Sequence, residues 1–210
     1  MSNVLHNIKV YELAESIYAS GYPMMTQILH GEAWQKEIDA IQADIHTGTY
    51  TNKHIKRAIA LANAQGGGHA QFLTGILISF DLSFTNKGWV EAERYRFLNF
   101  VSSQSCMHRI TQMDIANCCS EQVDPRIIAI VNEKIDRYNE SKSLEDYRNI
   151  LDNIPSGLIL TARMTTNYRC LRNIYEQRKT HRLQIWLDFC EEIKSLPMAK
   201  ELILGDLHKE

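Results

Sequence analysis

The residues that could carry chemistry are concentrated in a basic segment at positions 161–182. Six basic residues stand there against the single acid Glu176: Arg163, Arg169, Arg172, Arg178, Lys179 and Arg182. On a helix, Asn167 and Arg178 would be about three turns apart and share a face, and Arg169 and Asn173 would share a neighbouring one. Arginine forks and amide groups on adjoining faces suit a phosphate and a heterocyclic ring. A solvated basic face that makes ordinary ion pairs is the alternative.

Two other segments carry weaker signals. Arg94 and Arg96 flank Tyr95, and because residues i and i+2 do not face each other on a helix, these arginines would reach different parts of a ligand or different subunits. The run Gly66-Gly67-Gly68 leads into His69 and would let the backbone approach a phosphate closely. Its spacing matches neither the P-loop nor the G-x-G-x-x-G fingerprint.

The composition is that of an ordinary globular chain. It has 210 residues, 44% of them hydrophobic and 23% charged, and a formal net charge of −2. We therefore expect one domain over 1–210, no direct nucleic-acid binding, and no membrane span, since no apolar run approaches roughly 18 residues. Five cysteines without a C-x-x-C pair or a zinc spacing predict reduced thiols and no metal site. With no signal-peptide pattern, the sequence predicts a cytoplasmic protein.

Hydrophobic periodicity predicts a mostly helical chain with one clear strand. Apolar residues alternate with Leu77, Ser79, Asp81 and Ser83 in the period of two that favours a half-buried strand: Ile76, Ile78, Phe80, Leu82 and Phe84. Helices are predicted over 31–47, 53–64, 87–105 and 161–195, and from an Asp124 cap followed by Pro125. The expected fold class is mixed α/β (α+β), a single mostly helical domain with a small central β-sheet.

For two of these helices, the sequence also predicts which side chains form the apolar face. The 87–105 helix is expected to use Trp89, Val90, Phe97, Leu98 and Val101 as its anchors. The helix after Pro125 is expected to bury Ile127, Ile128, Val131 and Ile135.

In order and spacing, the three segments resemble motifs of the flavin-dependent thymidylate synthases. Members of that family have a glycine-histidine pair before a strand and an R-H-R motif with a serine eight residues after its last arginine. Their C-terminal helix reads roughly N-x-R-S-L-x-N-x-x-x-x-R, with an H-x-Q downstream. The matching residues here are Gly68-His69, Arg94-Tyr95-Arg96 and Asn167-Tyr168-Arg169-Cys170-Leu171-Arg172-Asn173, followed by Arg178 and Gln184. The resemblance covers about 69–109 and 155–187.

The resemblance implies a homotetramer that binds FAD and a pyrimidine deoxynucleotide such as dUMP at subunit interfaces. It implies transfer of a one-carbon unit from methylenetetrahydrofolate with hydride from reduced FAD, and NADPH as the reductant. The residues implied to contact FAD are His69, Gln71, Arg94, Tyr95, Arg96, Asn167, Arg169 and Asn173. Those implied to bind the nucleotide are Glu91, Arg94, Ser105 and Arg178. Arg178 is implied as the catalytic residue, near the pyrimidine ring, where a cation favours deprotonation of a ring nitrogen.

Several positions depart from the family pattern. Tyr95 stands where the middle histidine of R-H-R is expected, Glu91 where a glutamine is expected, and Thr74-Gly75 where an acidic residue and a histidine are expected. The expected serine falls on Gln104, so Ser105 matches only after a one-residue shift.

The carboxylate of Glu91 would repel a nucleotide phosphate beside it unless the carboxylate is paired or protonated. Three hypotheses for the function stay open. One is a divergent one-carbon transfer enzyme. The second is a catalytically lapsed relative that serves as a nucleotide-binding or protein-interaction scaffold. The third is an unrelated helical interaction protein whose arginines make surface ion pairs.

Overall fold

The computed structural model describes residues 3–64 and 68–205; Gly66 and Gly67 of the glycine run lie outside them. Within these ranges four strands form one antiparallel sheet in the order β1-β2-β4-β3: Leu5–Tyr11 (β1), Leu77–Thr85 (β2), Asn99–Ser103 (β3) and Ile159–Asn167 (β4). The same ranges hold nine α-helices: Leu13–Ala19 (α1), Gly31–Thr47 (α2), Lys53–Asn63 (α3), Asn86–Ala92 (α4), Cys106–Arg109 (α5), Pro125–Ser141 (α6), Leu144–Leu151 (α7), Tyr168–Arg178 (α8) and Gln184–Glu192 (α9). The predicted fold class, mostly helical with a small sheet, is confirmed. None of these helices is both long and apolar enough to cross a lipid bilayer.

Strand β2 supplies the centre of the core, as its alternation predicts. Four of its side chains and that of Ile76, which directly precedes it, are each at most 1% exposed: Ile78, Phe80, Leu82 and Phe84 are the four. The Phe84 ring meets the Trp186 ring of α9 edge-on, with centroids 4.8 Å apart. Burying each such side chain contributes roughly 1.5–3 kcal/mol, so this strand fixes the sheet against α9.

The structure confirms two predicted helices near the N-terminus almost residue for residue, and it confirms the predicted start of a third helix at Pro125. Helix α2 covers Gly31–Thr47 and ends at Gly48, whose φ of +69° is the left-handed conformation that glycine adopts most easily. Helix α3 stops at Asn63, and α6 begins as predicted, because the Asp124 side chain accepts a hydrogen bond from the Arg126 backbone and Pro125 occupies the first turn.

An arginine from α3 secures the end of α1. Arg57 Nη2 donates to the carbonyl oxygens of Ile17 at 3.3 Å and Tyr18 at 3.0 Å, and its Nε donates to Ser20 Oγ at 3.3 Å. The guanidinium covers Gly21 so closely that a Cβ built on this residue would lie 2.4 Å from Arg57 Cζ. Gly21 has an ordinary φ of −94°, so a side chain there is opposed by the guanidinium, which would have to move, and not by the backbone conformation.

The prediction of one helical region over 161–195 is wrong between Arg178, where α8 ends, and Gln184, where α9 begins. It is also wrong for its first seven residues. They belong to β4, which pairs with β2 along its whole length, from Leu77 opposite Asn167 to Thr85 opposite Ile159. Asn167 is therefore the last strand residue and the N-cap of α8 rather than a helical residue. The predicted helical face shared by Asn167 and Arg178 does not exist, because only Arg178 lies within the helix.

The prediction of a single helix over 87–105 is also wrong. Helix α4 ends at Ala92, and after a turn the chain forms the edge strand β3. Three of the expected apolar anchors are about 60% exposed: Val90, Phe97 and Val101. In α6, Val131 and Ile135 are buried as predicted, whereas Ile127 is exposed. The four exposed side chains lie at the protein surface, where single apolar residues are common.

Candidate functional site

A cleft of about 930 Å³ lies where the ends of several elements meet. Its walls come from the end of α3, a 3₁₀ helix at Gly68–Thr74, the turn between α4 and β3, and the first turns of α8. Seven of the eight residues that the resemblance implies for FAD line this cleft: Gln71, Arg94, Tyr95, Arg96, Asn167, Arg169 and Asn173. The eighth, His69, is exposed on the 3₁₀ helix but is not part of the lining.

The cleft is strongly basic, because four arginines line it against the single acid Glu176. Arg94 and Arg96 are exposed, and neither makes a hydrogen bond or an ion pair with any residue in 3–64 or 68–205. The Arg96 guanidinium lies 6.0 Å from the centroid of the Phe97 ring. These two arginines are therefore available to an anion that enters the cleft.

The other two arginines hold the walls of the cleft together. Arg169 Nη1 donates to Gln71 Oε1 at 2.6 Å, which ties α8 to the 3₁₀ helix. Arg172 donates to the backbone carbonyl oxygen of Ala62, which ties α8 to α3. Both keep their positive charge at the cleft while using some of their N–H groups inside the protein.

The N-terminal end of α8 also faces the cleft, since Asn167, Arg169 and Cys170 all line it. The Asn167 side chain accepts a hydrogen bond from the Cys170 backbone N–H at 2.9 Å and so caps the helix. Tyr168 fixes this end in the core, because its ring is fully buried and its hydroxyl donates to the Pro197 carbonyl at 2.8 Å. The positive end of the helix dipole adds to the attraction for anions.

Arg178, the residue implied to be catalytic, does not line the cleft and is buried. Its Nη1 donates to Glu91 Oε2 at 2.9 Å and its Nε donates to the Tyr95 hydroxyl at 2.7 Å. The guanidinium also lies over the Trp186 ring, 4.7 Å from the centroid. The structure thus gives Arg178 a set of partners within the chain.

Tyr95 connects the cleft to Arg178. Its ring lines the cleft, and its hydroxyl accepts from Arg178 and donates to Gln177 Oε1 at 3.1 Å. Burial raises the pKa of Tyr95, although the hydrogen bond from Arg178 acts in the opposite direction. The hydroxyl therefore stays protonated, as its hydrogen bond to Gln177 requires.

Glu91, on α4, is paired rather than exposed to a ligand. In addition to Arg178, its carboxylate lies 3.1 Å from His181 Nε2 and 3.7 Å from Lys87 Nζ. Ser105, the remaining residue implied for the nucleotide, precedes α5 and lies outside the lining of the cleft. The structure therefore brings seven of the implied FAD residues together and leaves Glu91, Ser105 and Arg178 outside the lining of the cleft, with Arg178 in contact with the cleft residue Tyr95.

Sequence reasoning missed several residues of this region. Arg172 lines the cleft although no family motif implies it, and its position one turn after Arg169 is the signal that could have indicated it. His181 and Trp186, which contact Arg178, carry no distinguishing pattern in the sequence.

The fold of this chain is similar to that of known proteins. No protein-family model and no curated protein matches the chain, but solved structures do, and the chain has the fold of the flavin-dependent thymidylate synthases. It is similar to the flavin-dependent thymidylate synthase ThyX from Helicobacter pylori, complexed with FAD and dUMP, with a TM-score of 0.58, 12% identity, and coverage of 97% of this chain and 98% of that one. It is also similar to the UMP/dUMP methylase PolB from Streptomyces cacaoi, bound with 5-Br dUMP, with a TM-score of 0.56, 13% identity, and coverage of 93% and 92%.

Proposed function

We propose that the cleft binds FAD and that the chain is a divergent flavin-dependent thymidylate synthase-like enzyme. The observation that carries this proposal is the pair Arg94 and Arg96, two exposed arginines that line the cleft without an internal partner. A diphosphate is an anion that such forked donors bind well. Structures of the same fold complexed with FAD give the proposal independent support.

The residues present fit this cofactor. A volume of about 930 Å³ is at the upper end of the roughly 300–1,000 Å³ usual for small-molecule sites. Arg94, Arg96 and the N-terminal end of α8 would hold the diphosphate, and Phe97, which is largely exposed, would offer an aromatic surface to a ring of FAD. Bound FAD supplies hydride chemistry, while the protein binds and orients it.

The proposed reaction is transfer of a one-carbon unit from methylenetetrahydrofolate to dUMP or a related pyrimidine deoxynucleotide, with NADPH reducing the flavin. Homotetrameric assembly and a cytoplasmic location belong to the same proposal. The resemblance of the segments around Arg94 and Asn167, together with the dUMP complex of a protein with the same fold, supports this substrate class.

A titration with FAD tests the cofactor. We expect the purified chain to bind FAD, seen as quenching of flavin fluorescence, and the double variant Arg94→Gln/Arg96→Gln to bind at least about tenfold more weakly, because two charge-assisted hydrogen bonds are lost. The matched control Arg148→Gln/Arg182→Gln removes the same charge from exposed positions outside the cleft and should bind normally. A wild-type chain that takes up no FAD would overturn the proposal.

A catalytically lapsed scaffold is the second candidate, and the Arg178–Glu91 ion pair favours it because the residue implied to be catalytic is already paired. The two candidates differ in turnover. The FAD-loaded enzyme should convert dUMP to dTMP when methylenetetrahydrofolate and NADPH are supplied, whereas the scaffold should form no product. Failure to rescue a thymidine-requiring host would likewise count against the activity.

A further inference from the structure

The Glu91–Arg178 pair lies just below the protein surface. The exposed fraction of the side chains rises outward from Arg178 at 8% to Glu91 at 12%, His181 at 22% and Lys87 at 55%. On its other sides the guanidinium is covered by the rings of Tyr95 and Trp186. The Glu91 carboxylate is therefore the anion that already occupies Arg178 Nη1, and another anion can bind this nitrogen only in its place.

The charges of this cluster are unequal. Lys87 and Arg178 are two cations that share the single carboxylate of Glu91, at 3.7 Å and 2.9 Å. His181 Nε2 lies beside the Arg178–Glu91 pair, 2.8 Å from Arg178 Nη1 and 3.1 Å from Glu91 Oε2. Without the charge of Glu91, two adjacent cations would remain, which is an arrangement that attracts a phosphate.

We propose that Glu91 is an internal anion that competes with the pyrimidine nucleotide for Arg178. While the carboxylate occupies Nη1, the chain binds a nucleoside monophosphate weakly, and the nucleotide gains Arg178 only by displacing Glu91. Glu91 thus determines which ligands the site accepts, since a ligand must outcompete a carboxylate that is already in place. The inference rests on the proposed function, which takes a pyrimidine nucleotide as substrate, and on the family resemblance, which implies that Arg178 binds it.

The variant Glu91→Gln separates charge from shape. The glutamine side chain has the same length, and its amide oxygen can still accept from Arg178, so the rings around the guanidinium keep their packing. The matched control is Glu93→Gln, which removes the same charge two residues away at an exposed position where the side chain has no partner in the described part of the chain.

Isothermal titration with dUMP, with and without saturating FAD, tests the inference. We expect Glu91→Gln to bind dUMP at least about tenfold more tightly than the wild type, because the negative charge that competes with the nucleotide for Arg178 has been removed. Glu93→Gln should bind dUMP like the wild type, and all three proteins should bind FAD with the same affinity. An unchanged or weaker affinity of Glu91→Gln for dUMP would overturn the inference.

The two proposals fail in different ways. If FAD binds but Glu91→Gln gains no affinity for dUMP, the role of Glu91 is wrong and the flavin site stands. If Glu91→Gln gains affinity for dUMP while no variant binds FAD, the flavin proposal is wrong and the role of Glu91 stands. Should Glu91→Gln fail to fold, Glu91→Asp retracts the carboxylate by one methylene and keeps its charge. It should tighten dUMP binding about threefold, and no tightening would overturn the inference.

Discussion

Removal of the Arg178 side chain should destabilise the protein strongly, although its position in a basic segment would suggest a solvent-exposed residue. In Arg178→Met the Glu91 carboxylate loses its 2.9 Å partner and the Tyr95 hydroxyl loses its 2.7 Å donor. Removing one member of a buried ion pair costs about 3–5 kcal/mol. Because Glu91 keeps His181 at 3.1 Å and Lys87 at 3.7 Å, we expect the lower end of that range, about 3 kcal/mol.

Urea unfolding followed by tryptophan fluorescence measures this cost, since Trp186 lies against the guanidinium. The control Arg182→Met, at an exposed position four residues further along, should change the free energy of unfolding by no more than about 0.5 kcal/mol. The double variant Glu91→Leu/Arg178→Met removes both charges together. It should recover most of the loss, because replacing a whole buried pair by apolar side chains is often neutral.

Two results would refute this reasoning. A loss below about 0.5 kcal/mol in Arg178→Met would mean that Arg178 is not held by its partners and is free for a ligand. A double variant no more stable than Arg178→Met would mean that the cost comes from lost packing rather than from the unpaired carboxylate of Glu91.

Three further predictions concern groups outside this pair. Burial lowers the pKa of His54 below its ordinary 6.5, although the hydrogen bond that its ring donates to the Glu37 carboxylate acts in the opposite direction; the unfolded chain then binds more protons, so the free energy of unfolding should fall as the pH drops below about 6.5. His54→Gln should remove that slope in urea titrations, and His46→Gln, at an exposed position, should keep it; equal slopes in both variants would contradict the assignment. Asn167→Ala should lower stability by about 1 kcal/mol through loss of the α8 cap, and an unchanged urea midpoint would argue against the cap. Burial raises the pKa of Cys190 to about 11, so a thiol reagent at about pH 8 should modify it only in urea; native labelling, located by mass spectrometry, would exclude this.

The sheet illustrates which strands a sequence can reveal. Strand β2 is central and has one face in the core, so burial imposes the alternation of Ile78, Phe80 and Leu82 that predicts it. Strand β3 is an edge strand whose five residues are all exposed, so no such alternation is required of it. Strand β1, the other edge, buries only Leu5, and its sequence likewise gave no strand signal.

Strand β4 was missed for a different reason. Ala162, Met164 and Thr166 face inward and Arg163 faces outward, so a period of two was present in the sequence. The arginines of α8 follow directly, and the basic composition of the whole segment favoured a continuous helix. The cap at Asn167, which is a residue type that commonly starts helices, marks the boundary that composition concealed.

The residues of the candidate site likewise differ in whether the sequence alone can group them. Residues of the cleft fall in short motifs, and local spacing was enough to group Arg94 with Arg96 and Arg169 with Asn173. Arg178 and Glu91 are 87 residues apart in the chain, and nothing in a single sequence pairs two charges across that separation. Their ion pair could be found only from the folded structure, and it is the feature that changes the interpretation of Arg178.

The contact between Arg57 and Gly21 has a consequence for how the sequence can diverge. Even an alanine at position 21 would place its methyl carbon 2.4 Å from the guanidinium, so Arg57 would have to move and give up its hydrogen bonds to the end of α1. Loss of Arg57 would remove the obstacle but also the donors to Ile17 and Tyr18. Among homologous chains we therefore expect covariation: glycine at 21 wherever arginine occupies 57, and larger residues at 21 only where 57 has become shorter.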